Sequence, residues 1–326
     1  MPNRIAYLNG SFVPEHEARV SFYDAGVLWG EMAFESTRTF GGRPFELGHH
    51  LRRLDRSLRS LGIDCGLSLA EIERITLETL ELNKATETED MEWQILHNIS
   101  SGPGGEYRVA FADEELRPTV CIQCFPLIAR LAKFANLYET GVQLVIPEQH
   151  AMPPDLKNPH VKTRSRLHTQ LAIQQANAIE PGAWPLLCTA DGLVTEGPSW
   201  NVFMVRDGEL LTPSTRLVLD GVSRFHTLRL AKEIGLTTHE TELTIENFHE
   251  ADEIFCTATS FCLLYGTTFQ QCAIGDGRPG PVYRRLQTAW KSFVDVDFVA
   301  QAHNFANRRK EWLEREATAG RVRADH

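Results

Sequence analysis

Between Phe40 and Leu61 the hydrophobic residues change their period, and that change narrows the folds open to the chain. Met32–Phe40 (MAFESTRTF) alternates, as a strand with one buried face does, and Gly41-Gly42 turns the chain into a further strand at 43–45. In the following HHLRRLDRSLRSL, Leu51, Leu54, Leu58 and Leu61 recur at helical spacing, and Gly62 suits a C-cap. Strand and helix periods in close succession imply a mixed α/β fold.

The rest of the chain supports that reading. Two short β-prone runs in 5–13 flank Asn9-Gly10, a two-residue hairpin signal. Ser68-x-x-Glu71 is a capping box opening a second helix, and 92–100 and 119–125 read as strands joined by SSGPGGEYR. The pattern restarts at Gly141 with GVQLVIP. Strands are expected at 184–189 and 202–206, beside the turns Asp191-Gly192 and Asp207-Gly208, and at 253–257; helices are expected after Gly221 and over 281–293. The charged tail after Asn307 reads as a fraying end. Two domains follow, 1–128 and 139–326, with 129–138 as connection.

Composition limits the function. The 326 residues carry a net charge of −10, with a pI near 5.7, which argues against nucleic acid or an anionic membrane surface as partner. No apolar run is long enough to span a membrane, and MPNRIAYLNGSF lacks the charged and apolar regions of a signal peptide, so the expected location is the cytoplasm. Seven scattered cysteines do not form a secreted disulfide framework. Cys121-x-x-Cys124 lies in VCIQCF, which reads as a buried strand, and no metal site is expected.

Four stretches carry chemistry. Lys162, in NPHVKTRSRLH, follows a Pro-rich loop and precedes a helix start, unlike Lys84 or Lys232 on polar helix faces; by itself it also reads as a surface lysine. Glu196 occupies a turn in VTEGPSWNVFM, where a solvated carboxylate is equally ordinary. In LDGVSR, Gly221 permits a tight turn, and the next N–H groups open a helix that can take an anion, or one simply capped by Asp220 or Ser223. CTATS at 256–260 ends a buried strand with hydroxyls suited to the same anion.

Taken together, YLNG (7–10), FESTR (34–38), HLRRL (50–54), VKT (161–163), TEGPSWNVF (195–203), DGVSR (220–224) and GPVYRRL (280–286) resemble the class IV, fold-type IV pyridoxal-phosphate aminotransferases. That family includes branched-chain and D-amino-acid aminotransferases, R-selective amine transaminases and aminodeoxychorismate lyase. The specific signal is E-G-x-x-x-N with a lysine some thirty residues before it and G-[IV]-[ST]-R after it.

The resemblance implies a small N-terminal α/β domain, a larger C-terminal β-barrel-like domain, pyridoxal 5'-phosphate between them, and a homodimer. It makes Lys162 the residue that holds the cofactor covalently and then moves the proton. Glu196 would face the pyridine nitrogen, Arg53 would grip the phosphate, and Gly221, Val222, Ser223 and Thr259 would add donors to it. The Ser260 N–H would face the substrate, with Trp29 and Phe34 lining the pocket and Trp29 reaching the neighbour's site. Transfer of an amino group from a branched-chain-like amino acid to a 2-oxo acid is then expected, in ping-pong halves. The alternatives are an amine or D-amino-acid transaminase, an aminodeoxychorismate-type lyase, or a non-catalytic cofactor-binding protein.

The pocket departs from the family pattern. Leu167 stands where branched-chain enzymes have a tyrosine, and Ser36 replaces the glycine of FEGIR. EWQILH (92–97) lacks both Tyr-x-Arg and Arg-x-His, which leaves Arg38, Arg164 and Arg166 as candidates for the substrate carboxylate.

Overall fold

The computed structural model describes residues 4–86, 91–112 and 116–318. Its contacts divide the chain into two units: Met1–Ala132, Val161–Ser165 and Asn304–His326 form one, Lys133–His160 and Arg166–His303 the other. Two later segments are also counted with the first unit, so the division is not a single cut.

The first unit is built on a six-stranded antiparallel sheet of order β2-β1-β6-β5-β3-β4. Its strands are β1 (Ile5–Leu8), β2 (Ser11–Pro14), β3 (Met32–Phe40), β4 (Arg43–Pro44), β5 (Trp93–Ser100) and β6 (Thr119–Pro126). The β1–β2 hairpin turns at Asn9-Gly10, both with positive φ, as an Asn-Gly turn requires. In this unit α1 (Ala25–Leu28) is a single turn, while α2 (Leu47–Leu61) and α3 (Leu69–Lys84) are long helices. Gly62 in the left-handed region closes α2, and the Ser68/Glu71 capping box opens α3.

The alternation of β5 and β6 shows why one sheet face is covered. Ile99, Val120 and Ile122 point into a core with Leu51, Leu54 and Leu58 of α2 and Ile72 and Ile75 of α3. Each such side chain contributes about 1.5–3 kcal/mol by leaving water. Cys124 is buried on β6, as the strand pattern requires. Gln94, Leu96 and Asn98 face the other way and are half-buried.

The second unit carries a mixed sheet of eight strands, β11-β10-β9-β12-β13-β7-β8 with β14 on β13. These are β7 (Val142–Val145), β8 (Trp184–Pro185), β9 (Asn201–Arg206), β10 (Glu209–Pro213), β11 (Thr238–Thr241), β12 (Glu253–Ala258), β13 (Cys262–Phe269) and β14 (Cys272–Ala273). The chain after β8 bridges the chain after β11 at Leu193 and Thr244, joining the two edges in barrel-like fashion. The strand expected over 184–189 is paired as β8 at Trp184–Pro185 alone, because Leu187 turns to bond the Thr195–Glu196 segment.

Among the remaining helices, α4 (Ile128–Leu131) and α5 (Leu137–Thr140) are short, and α6 spans Leu167–Ile179. Then come α7 (Val222–Glu233), α8 (Ile245–His249), α9 (Pro281–Val294) and α10 (Phe298–Thr318). The buried stripe of α6 is Thr169, Ala172 and Ala176, with Leu171 and Ile173 exposed. The fraying expected after Asn307 is corrected as far as Thr318. There α10 buries Trp312 against Phe125 and sets Glu316 on Arg4 at 2.6 Å, a packing face hidden in a charge-rich sequence. The last eight residues lie outside the described ones.

Candidate active site

In the first unit, 162–164 pairs with the start of β3. The Lys162 carbonyl accepts the Phe34 N–H at 3.0 Å, Arg164 donates its N–H to Met32 at 2.9 Å, and Ala33 and Thr163 form an antiparallel bridge. The two-residue period then puts Lys162 and Arg164 on one side and Thr163 on the other. Lys162 Nζ stands 4.6 Å from the centroid of the Phe34 ring. Ser57 of α2 anchors the segment from behind, accepting the Lys162 N–H at 3.1 Å while donating to the Arg53 carbonyl at 3.0 Å.

Arg53 is buried beneath the opposite face of β3, where its Nε and Nη2 fork onto Glu35 at 2.6 and 2.9 Å. His50 Nδ1 lies 2.7 Å from the same carboxylate. Burial by itself would raise the Glu35 pKa, but the Arg53 charge and the His50 contact outweigh it and hold the carboxyl well below its usual range. His97 sits across the ladder from Glu35, with Nε2 2.8 Å from Thr76 Oγ1. Burial pushes its pKa down to about 4, against the pull of Glu35, so this imidazole is neutral at pH 7.

In the second unit, Glu196 is half-buried, and Asn201 Nδ2 donates to its Oε2 at 2.8 Å and to the Leu219 carbonyl at 3.1 Å. The spacing E-G-x-x-x-N thus brings carboxylate and amide back together across a turn. Gly197 is required because a Cβ there would lie 1.9 Å from the Trp200 ring, and Gly221 because its Cβ would lie 2.1 Å from Asn201 Oδ1. Arg166 donates to the Pro198 carbonyl in the same turn.

Gly221 is the N-cap of α7, with Val222 and Ser223 in its first turn. Ser223 is 3 % exposed, and its Oγ has no hydrogen-bond partner among the described residues. Thr227 Oγ1 bonds the Ser223 carbonyl at 2.8 Å and lies 3.4 Å from Thr257 Oγ1. Thr257 in turn donates to the Cys262 carbonyl at 2.7 Å, which spends its hydroxyl on the turn holding Thr259 and Ser260. Because Thr257 faces Asn201 in the β9–β12 ladder, the Glu196 turn, the start of α7 and the 259–260 turn gather at one end of these strands. A buried hydroxyl without a partner at a helix N-terminus is a donor set for an anion, and a phosphate group fits it.

A family model for amino-transferase class IV matches residues 32–266. The chain belongs to the class IV aminotransferases. It is similar to a putative branched-chain-amino-acid aminotransferase of Methanocaldococcus jannaschii, 32 % identical over 286 residues that cover 87 % of this chain and 94 % of that one. A D-alanine aminotransferase of Bacillus licheniformis is 28 % identical over 88 % of this chain and 95 % of its own. The branched-chain amino acid aminotransferase of Escherichia coli superposes with a TM-score of 0.81 at 25 % identity, covering 90 % of this chain and 95 % of that one. Class IV aminotransferases use pyridoxal phosphate, and the fixed carboxylate and anion cradle of the second unit match this cofactor's chemistry.

Of the other expected site residues, Phe34 is buried while Trp29 is 55 % exposed, lying against Gly104. Arg38 is buried, its guanidinium 4.0 Å from the centroid of Phe40 and its Nε on the Thr39 carbonyl. Leu167, at the family's tyrosine position, is 73 % exposed. Sequence reasoning missed Glu35, Ser57, Asn98 and Asn201. Glu35 and Asn201 had a signal, a carboxylate at an inward-facing strand position and the last letter of the E-G-x-x-x-N motif; the others had none.

Proposed function

We propose that this protein transfers the amino group of an α-amino acid to a 2-oxo acid, with Lys162 as its catalytic base. The observation that carries the reading is the unpartnered, buried Ser223 hydroxyl at the start of α7, beside a carboxylate fixed by Asn201. Bound pyridoxal phosphate supplies an aldehyde that an amine can capture and a ring that takes up electrons from the substrate carbon.

The chain's own groups do the rest. Ser223 Oγ and the N–H groups of Val222 and Ser223 bind the phosphate, with Gly221 bringing the backbone close and Thr259 adding a hydroxyl. Arg53, oriented by Glu35, contributes a cation to it. Glu196 would hold the ring nitrogen's proton in place, and Asn201 keeps Glu196 aimed. Lys162 would hold the cofactor covalently, and its amine would carry a proton to and from the substrate's α-carbon. The Ser260 N–H and Phe34 would border the substrate.

The similarity to the Methanocaldococcus jannaschii protein favours a branched-chain-like donor. A homodimer is supported by exposed apolar side chains in the first unit: Phe22 is 86 % and Val109 92 % exposed, and Tyr23 stacks on Tyr107. Among the described residues no helix is long and apolar enough to cross a membrane, in keeping with a cytoplasmic location.

The test is a donor panel, with both enantiomers of leucine, isoleucine and alanine, read by the shift from aldehyde to amine absorbance of the cofactor. Leucine or isoleucine should drive the shift in the parent. Lys162→Ala should lose the covalently bound chromophore, with transfer falling by about 10⁴-fold. Transfer at the parental rate in that variant would reject the assignment.

A further inference from the structure

We propose that Arg164, clamped by Asn98 and laid on Phe34, binds the α-carboxylate of the amino-acid donor. The proposal rests on the aminotransferase reading above and sharpens its substrate class to donors that carry a carboxylate beside the amine.

The donor's carboxylate is attached to the carbon that bears its amine, so its cation must stand within a few ångströms of the lysine amine. Of the three candidate arginines, Arg38 is buried against Phe40 on its own strand and Arg166 is committed to the Pro198 carbonyl. Arg164 is half-exposed and shares the strand side of Lys162, because the same short ladder with β3 fixes both backbones. Its guanidinium carbon lies 3.9 Å from the centroid of Phe34, the ring over which Lys162 Nζ stands at 4.6 Å. One aromatic platform therefore carries the reacting amine and a planar cation.

Asn98 supplies the orientation. From β5, directly across the ladder from Phe34, its Oδ1 accepts the Arg164 Nε–H at 2.8 Å. Held by Nε, a guanidinium presents its Nη1/Nη2 pair as the end that takes a carboxylate bidentately. Strand β5 thus serves the carboxylate through a neutral positioning residue, which explains how a strand reading EWQILHN works without an arginine of its own.

The experiment uses the holoenzyme and two probes of one shape, 4-methylvalerate and the uncharged 4-methylvaleramide, with affinities measured by calorimetry and KM and kcat measured for the best donor. The parent should prefer the acid. Arg164→Gln should lose about 10–100-fold in acid affinity and in donor KM while binding the amide as the parent does. Arg164→Lys should recover part of that loss. Asn98→Ala keeps the cation and should lose about 3–10-fold for the acid alone. Parental acid affinity in Arg164→Gln, or equal binding of acid and amide by the parent, would overturn the proposal. If Arg164→Gln does not fold, parental acid affinity in both Arg164→Lys and Asn98→Ala does so. A parent whose cofactor absorbance responds to no amino acid strikes the aminotransferase reading itself; a parent that responds, with an unchanged Arg164→Gln, strikes Arg164 only.

Discussion

Arg53 in the first unit and Ser223 in the second are both assigned to a phosphate, yet they wait for it in opposite conditions. Arg53 is already forked onto a fully buried Glu35, with His50 on the same carboxylate. Ser223 is equally buried and has no partner for its hydroxyl. Desolvation accounts for the difference. A cation out of water costs several kcal/mol unless a counter-charge is built in, whereas an unpaired hydroxyl costs about 1–3 kcal/mol and can be left for the ligand to satisfy. The ionic cluster is neutralised within the fold, whereas the hydroxyl at the helix start is left for a ligand to satisfy.

The largest effect expected from this contrast is on stability. Glu35→Gln leaves Arg53 buried without its counter-charge and should cost about 3–5 kcal/mol in denaturant unfolding of the apoenzyme. Adding Arg53→Gln should recover much of that cost, and a double variant no more stable than Glu35→Gln would remove the ion-pair explanation. Next comes Gly221→Ala, whose methyl group meets Asn201 Oδ1 at 2.1 Å. It should cost about 1–3 kcal/mol and also slow turnover, because Asn201 holds Glu196.

A smaller effect should appear with pH. The folded pKa of His97, about 4, lies below its unfolded value near 6.5, so on acidification the unfolded chain takes up the proton first. Stability should therefore be complete above pH 6.5 and fall towards pH 4 by up to about 1.4 kcal/mol per unit, and His97→Gln should flatten the unfolding profile across that window. Ser223→Ala should change apoenzyme stability least, by less than about 0.5 kcal/mol, since it removes an unpaired group. Its effect should instead be on cofactor retention through dialysis, weakened by about 5–10-fold. A marked loss of apoenzyme stability there would mean that Ser223 serves the fold after all.

Much of this was legible in the chain. The Asn9-Gly10 hairpin, the Gly62 and Ser68 caps and the strands β3 and β5 follow local rules of backbone and stand where the sequence put them, but β3 is buried on both faces rather than alternating. The packed face of α10 was not legible, because Trp312 and Glu316 are spaced among charges and only Phe125 and Arg4 disclose their burial. Nor was the pairing of 162–164 with β3, since a three-residue ladder has no period long enough to read.

By itself, the sequence determined the local settings of the candidate groups: a lysine before a helix, a carboxylate in a Gly-Pro turn, a glycine opening α7. It did so because capping, turn chemistry and hydrophobic period act over a few residues. Tertiary structure alone decided which groups are neutralised and which stay available. Glu35 and Arg53 are 18 residues apart, and Arg164 and Asn98 are 66 apart. Charge and desolvation act through space, so a group's partner, and with it its pKa and its task, is fixed only when the chain has closed around it.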